Sequence, residues 1–328
     1  MAAETDLETV RTFDIFCGAG GSSRGAFMAG ATPVAALDMW ELATETYKLN
    51  FPDAVTYRMK ASSLSPQRLM DEVGEIDLLL ASPECTNHSI ARGKRPRCDD
   101  SRNTAFEVIR FAKALKPRWV VVENVSQMRH WGRFEEWLKK LKAIGYQTDV
   151  GILDAQFHDT PQSRRRLFIV GDLEVKPSLP DCRKRTTKTV AGILRTREPE
   201  EKPWRFSPVE TAKRAKATID RAKRAIETLN GDPFVMVYYG SDYAGGFQTL
   251  DRPLRTVTTI DRFAYVRPNC NGFEMRMLQP PELAAAMGFP PDHMWPDVSR
   301  RERIKLTGNA VCPLVMRDVV RTLLGKSS

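Results

Sequence analysis

The stretch Phe13-Asp14-Ile15-Phe16-Cys17-Gly18-Ala19-Gly20-Gly21 decides the fold. A short, largely apolar strand runs into a glycine-rich turn, and a helix N-terminus follows at about Ser22. Glycines there let the backbone approach a ligand closely, and free N–H groups at a helix start suit polar or anionic groups. Asp38 closes the next apolar run, about 20 residues on, where an acid would meet a ribose hydroxyl. Ser23 stands at the third glycine position of the dinucleotide fingerprint, so the fingerprint is incomplete. An adenosine-type cofactor is expected, with an ordinary tight turn as the plainer alternative.

Outward from this stretch, apolar runs alternate with amphipathic segments as far as Gly171. The runs are Phe13 to Phe16, Pro33 to Leu37, Ile76 to Leu80, Trp119 to Val122 and Leu167 to Val170. Between them, Thr104 to Leu115 and Arg133 to Ile144 place apolar residues three and four apart, which predicts helices. Such alternation means βαβ units, so the fold class is α/β, with a mostly parallel sheet and helices on both faces. Ligand sites in such folds lie outside the carboxyl ends of the strands.

Three more motifs fall at such ends. Cys85 follows the run Ile76 to Ala81 within Ser82-Pro83-Glu84-Cys85-Thr86-Asn87-His88-Ser89; a thiol there is a nucleophile if a cation or helix terminus lowers its pKa, and otherwise a small buried hydrophobe. Arg92 to Arg102 reads as a mobile basic loop. Trp119 to Val122 ends in Glu123-Asn124-Val125, and an acid in a dry pocket can have its pKa raised and serve as a proton donor, or else cap a helix. In Gln162-Ser163-Arg164-Arg165-Arg166, alternation puts Arg164 and Arg166 on one strand face, where two guanidinium forks suit phosphate or a base oxygen; a charged edge strand is the bland alternative. Leu306 to Val311 reads as the start of a C-terminal helix.

After Gly171 the character changes. Residues 172 to about 206 read as loops and short strands, and Pro208 to Leu229 as one basic helix ended by Gly231. Strands return at Phe234 to Tyr239 and Thr256 to Thr259, and helices near Pro281 to Met287 and Leu314 to Leu324. Lys and Arg number 50 against 41 Asp and Glu, a net +9. Between Asp181 and Arg224 stand 14 basic and 6 acidic residues, so nearly all the surplus sits in this insert. Either a polyanion partner or a solvated helical face accounts for it. The division expected is 1–171, a small basic insert 172–247, and 248–328 returning to the first part.

Composition narrows the class further. Hydrophobic residues at 42% and charged ones at 28% are globular values. There is no long uncharged apolar run to span a membrane, and Met1 to Thr12 carries acids where a signal peptide needs basic residues. Six cysteines without a Cys-x-x-Cys pair, and four histidines, make a zinc site or disulfide framework improbable. A cytoplasmic protein with no metal and no membrane partner is expected.

Together these residues resemble the DNA (cytosine-5) methyltransferase family, in family order across nearly the whole chain. Phe16 to Gly21 matches the Phe-x-Gly-x-Gly-Gly loop, Pro83 to Cys85 the Pro-x-Cys motif, Glu123 to Val125 Glu-Asn-Val, and Gln162 to Arg166 Gln-x-Arg-x-Arg. Arg252 to Thr259, Arg276 to Pro290 and Gly308-Asn309-Ala310-Val311 complete the set. The resemblance implies a Rossmann-like S-adenosylmethionine-dependent fold with a small target-recognition domain, acting on double-stranded DNA as a monomer in a prokaryotic or viral host cell, associated with the nucleoid. It implies Cys85 as nucleophile on carbon 6 of a flipped cytosine, Glu123 on ring nitrogen 3 and the exocyclic amine, and Arg166 with Arg164 on the base oxygen and catalytic loop. It assigns S-adenosylmethionine to Phe16, Gly18, Gly20, Gly21, Asp38, Met39, Pro83, Asn309 and Val311.

Departures from the family pattern are Glu84 before the nucleophile, Thr86 after it, His88 two further on, and Ser62 or Ser63 where an acid usually lies near the cofactor adenine. A carboxylate beside the thiol tends to raise its pKa. Rival readings are a transfer-RNA cytosine methyltransferase, a DNA-binding relative without turnover, and a nicotinamide oxidoreductase. The basic insert, the retained Cys85, Glu123, Arg164 and Arg166, and the missing third glycine weigh against them in turn.

Overall fold

A computed structural model describes residues 9–83, 100–181, 188–194, 204–239 and 246–326, with the backbone alone for 100–103. The main sheet is built from β1 (Arg11–Ile15), β2 (Thr32–Asp38), β3 (Val55–Arg58), β4 (Leu78–Ala81), β5 (Trp119–Val125), β6 (Gln147–Asp154) and β7 (Arg165–Asp172), in the order β3-β2-β1-β4-β5-β7-β6. β3, β2, β1, β4 and β5 are parallel, while β7 runs antiparallel to both its neighbours. The β4 and β5 side chains are buried at every position, in keeping with the apolar runs Leu78 to Ala81 and Trp119 to Val122. Along β4, Leu78 and Leu80 face one core with Val315, Met316 and Val319, whereas Leu79 faces the other with Phe111, Trp137 and Leu141. Helices α1 (Gly21–Met28) and α9 (Pro313–Leu323) thus cover one face, and α4 (Asp100–Leu115) and α5 (Phe134–Ile144) the other; α2 (Glu41–Asn50) follows β2, α3 (Pro66–Val73) follows β3, and α7 (Pro280–Ala286) lies in the C-terminal stretch.

β1 lies between β2 and β4, so the crossovers that leave it diverge and open a crevice at its carboxyl end. The glycine loop after β1, Asp38 at the end of β2 and Pro83 after β4 all lie at that crevice.

A second, antiparallel sheet has the order β10-β9-β11-β12-β8, from β8 (Ser207–Pro208), β9 (Phe234–Val237), β10 (Phe247–Thr249), β11 (Phe263–Asn269) and β12 (Gly272–Met277). Helix α6 (Lys216–Thr228) lays Ala222 and Ala225 on Phe234, Met236 and Ala264. The opposite face, with Val235, Val237 and Phe263, joins the core of the main sheet. Position 247 is the first residue of β10, and β11 and β12 come from the stretch after it.

Several local expectations are corrected. The basic helix begins at Lys216 rather than Pro208, because Pro208 sits in β8, an edge strand where its missing N–H costs nothing. Thr256 to Thr259 is not a strand: a single bridge pairs Leu254 with Gln162, and the residues beyond it are held by side chains. Gly308 and Asn309 do not start a helix but end α8 (Arg300–Asn309), which is capped by Ser299 and Glu302, and α9 starts at Pro313. The loop expected through Arg102 gives way to α4 at Asp100; its remainder, Arg92 to Cys98 and Asp99, lies outside the described residues.

Candidate functional site

The glycine loop is held in an unusual conformation by its neighbours. Phe16 has φ 63 although it carries a side chain, and Gly18 and Gly20 have φ 51 and 77. A left-handed aromatic residue is uncommon and persists where the surroundings dictate it. Here the Phe16 and Cys17 N–H groups both donate to the Leu37 carbonyl, at 2.8 and 3.2 Å. Asp38 completes the clamp: one carboxylate oxygen accepts from Gly18 N at 2.9 Å, the other from Trp40 N at 2.8 Å. Burial raises the Asp38 pKa against those backbone bonds.

Gly21 opens α1 against the loop between α8 and α9. A Cβ at Gly21 would lie 2.1 Å from the Val311 carbonyl oxygen, so only glycine allows this contact. Val311 is buried beneath it, while Asn309 is exposed at the end of α8 and Met39 is 58% exposed beyond Asp38. Under the loop lies a buried chain the sequence did not announce: Tyr47 donates to Ser23, and Ser23 to Asp14, each at 2.8 Å. Burial pushes the Asp14 carboxyl up to about 7.

The second half of the site lies at the end of β5. Glu123 is buried, and burial raises its pKa against the opposing fields of Arg166 and Arg164. Antiparallel pairing of β5 with β7 brings Arg166 alongside, and its Nε lies 3.2 Å from Glu123 Oε1. Arg164 takes a different direction. It is 4% exposed and donates to the carbonyls of Val257 at 2.9 Å, Gly308 at 3.0 Å and Ala310 at 3.2 Å. It therefore ties the start of β7 to the stretch after Leu254 and to the α8–α9 connection. Gln162 works beside it, accepting from Val257 N at 2.7 Å and donating to the Ala286 carbonyl at 3.2 Å.

Two residues without an assigned role join the halves. Asn124, next to Glu123, donates to the Pro83 carbonyl at 3.0 Å, and Ser82 donates through its hydroxyl to the Phe16 carbonyl at 2.8 Å. Their presence in Glu-Asn-Val and before Pro-x-Cys was the only signal available. Cys85, with Glu84, Thr86 and His88, lies outside the described residues. Among the described residues no group of three His, Cys, Asp or Glu could hold a metal ion, and no helix is long and apolar enough to cross a membrane.

The comparisons with known proteins agree with this geometry. The model of the C-5 cytosine-specific DNA methylase family matches residues 10–325. The chain is 34% identical over 170 residues to the Type II methyltransferase M.AgeI of Thalassovita gelatinovora, covering 49% of this chain and 39% of that protein. To the Type II methyltransferase M.HgiDI of Herpetosiphon aurantiacus it is 30% identical over 162 residues, covering 49% and 52%. The chain thus spans about half, or less, of the length of these curated relatives. Its fold is that of Spodoptera frugiperda DNMT2 (TM-score 0.71, 16% identity, 96% of this chain and 100% of that one). It is likewise that of S. pombe Dnmt2 methyltransferase (TM-score 0.68, 17% identity, 96% and 98%). With the family model matched from the first strand to the last helix, the chain belongs to the C-5 cytosine-specific DNA methylase family.

Proposed function

We propose that this chain transfers a methyl group from S-adenosylmethionine to carbon 5 of a cytosine flipped out of a short duplex DNA sequence, through a covalent adduct with Cys85. The observation that carries the reading is the buried Glu123, paired with Arg166 at the carboxyl end of β5 and joined by Asn124 to the segment leading to Cys85. A carboxyl with a raised pKa can donate its proton to ring nitrogen 3 while its other oxygen accepts from the exocyclic amine.

In this reading the Cys85 thiolate forms a bond to carbon 6, and the displaced ring electrons collect at carbon 5 and toward nitrogen 3, where Glu123 stabilises them. Carbon 5 would then take the methyl group, whose bond to the sulfonium sulfur would break with its electron pair left on that sulfur. A base removes the carbon 5 proton, the ring double bond re-forms, and the Cys85 sulfur leaves carbon 6 with its electron pair. Arg166 holds Glu123 and faces the base oxygen. Arg164 acts one step back, through the backbone it ties together.

The residues fit the cofactor. A Cβ at Gly18 would meet nothing within 4 Å, so the loop leaves open space beside Asp38 and the half-buried Phe16. Asp38 would receive the ribose hydroxyls, Phe16 the adenine, and the Gly18 to Gly21 backbone with Val311 and Asn309 the methionine end. When bound, S-adenosylmethionine supplies an electrophilic methyl group on a sulfonium. The second sheet with α6 would supply the base readout and phosphate contacts of a target-recognition unit. Because the base is stacked in duplex DNA, it must be flipped to reach Cys85.

The test is incubation of the protein with S-adenosylmethionine and unmethylated duplex DNA carrying 5-fluorocytosine, in which the carbon 5 substituent cannot leave as a proton. A denaturation-resistant adduct, absent in Cys85→Ala, is the expected result. No adduct with tight, salt-dependent binding would identify a binding relative without turnover instead.

A further inference from the structure

The bond between Ser82 and Phe16 lies outside the sheet and outside any role given above. The parallel register of β1 and β4 ends at Ile15 opposite Ala81, and Ser82 N adds one more rung by donating to the Ile15 carbonyl at 3.2 Å. The ladder cannot continue through the next residue, because Pro83 has no N–H. The Ser82 hydroxyl takes over at that point and donates to the Phe16 carbonyl at 2.8 Å. Phe16 is therefore held from both sides in its left-handed conformation: its N–H by the Leu37 carbonyl, its own carbonyl by Ser82. One residue on, the Pro83 carbonyl accepts from Asn124, the neighbour of Glu123.

A continuous path thus runs from the cofactor loop, through two successive residues of the segment that leads to Cys85, to the acid at the end of β5. It uses side-chain hydrogen bonds beyond the ends of three strands whose own residues are almost wholly buried. Those strands do not need the path in order to stand. Its consequence is elsewhere: the conformation of Phe16 and the position of Pro83 cannot change independently.

We propose that Ser82 is a positioning residue that couples the cofactor loop to the nucleophile segment, so that filling either site tightens the other. This rests on the reading of the site given under the proposed function. Coupling between two sites is reciprocal, so it can be read from either ligand. It requires the hydroxyl of Ser82, not merely a small side chain.

The experiment uses the full chain, wild type, Ser82→Ala and Ser82→Thr, with S-adenosylhomocysteine as the cofactor probe and the duplex that forms the 5-fluorocytosine adduct as the DNA probe. Calorimetry gives the Kd of S-adenosylhomocysteine with and without the duplex, and thermal melting of the unliganded proteins reports the fold. In Ser82→Ala the Kd of S-adenosylhomocysteine should rise about fivefold, the worth of one typical hydrogen bond. The tightening caused by DNA should fall toward none, with the melting temperature lowered by no more than a few degrees. Ser82→Thr, which keeps the hydroxyl, should restore both. Unchanged coupling in Ser82→Ala would overturn the proposal, and so would a Ser82→Thr variant as impaired as Ser82→Ala. A wild type that binds neither probe overturns the functional reading and this one with it, whereas with a wild type that binds both, the two variants decide.

Discussion

At the scale of single residues, burial sets the chemistry. Glu123 sits where water is excluded, and its pKa is raised by that burial more than Arg166 and Arg164 lower it. The protonated form, which on the proposed function donates to the base, therefore persists to higher pH than for a solvated glutamate, and it is lost as pH rises through the raised pKa. Glu123→Gln should lower kcat by about 10²- to 10³-fold, the usual loss when a group stabilising transition-state charge is removed. It should also remove the alkaline limb of the kcat profile; steady-state methylation across pH tests both, and a variant with wild-type kcat would dismiss the role. His293 illustrates the opposite sign. It is buried between the rings of Phe289 and Trp295, and burial, with Arg24 nearby, lowers its pKa from 6.5 to about 4. The unfolded chain takes up a proton near pH 6.5 that the folded chain refuses, so stability is whole above that pH and declines as pH falls toward 4. The loss amounts to about 3 kcal/mol. His293→Phe should flatten that acid decline, which melting temperatures at pH 7 and pH 4.5 would reveal.

At the scale of elements, close approach of backbones places the site. Helix α1 meets α9 and the connection before it so tightly that Gly21 touches the Val311 carbonyl and Gly25 the Pro313 carbonyl. Gly21→Ala introduces a methyl group where rigid backbone already stands, and should cost about 2 kcal/mol or more. Urea denaturation would show a lower midpoint with an unchanged slope, and S-adenosylhomocysteine binding should weaken together with it. The elements best read in advance were those with a strong local period: β4 and β5 as apolar runs, α4 and α5 as amphipathic helices. Those missed or misread lacked one. β6 alternates weakly because most of its side chains are half-exposed, and α8 carries five charged residues among ten, with no apolar stripe to announce it. Thr256 to Thr259 has strand-forming residues but no partner strand, and is held instead by Tyr239, Gln162 and Arg164.

At the scale of the whole molecule, charge is divided between two sheets. The surplus of basic residues lies between Asp181 and Arg224, and α6, at the end of that segment, leaves Lys216 and Arg224 exposed. On the proposed function these meet phosphates, which release condensed counterions on binding. Affinity for duplex DNA should then fall by about 10²-fold between ~50 and ~200 mM salt. Replacing Lys216 and Arg224 by Gln should weaken binding evenly across sequences and make the salt dependence shallower, while kcat at saturating DNA stays unchanged. Filter binding over a salt series measures the first effect, and a salt slope equal to wild type's would remove these two residues from the interface.

What the sequence by itself determined is the sheet and the stations along it. Strand periods and glycine turns are local properties, so the glycine loop, Asp38, Pro83 and Glu123 could each be assigned to a strand's carboxyl end without knowing which strands are neighbours. The family motifs supplied their order. What only the tertiary structure decided is which of these groups meet. Alternation put Arg164 and Arg166 on one face, yet Arg166 turns to Glu123 while Arg164 binds carbonyls 93, 144 and 146 residues away along the chain. Ser82 reaches Phe16 across 66 residues and Asn124 reaches Pro83 across 41. A hydrogen bond forms between groups brought within about 3 Å. Nothing in the local pattern around either partner encodes that approach, because strand order and helix packing create it.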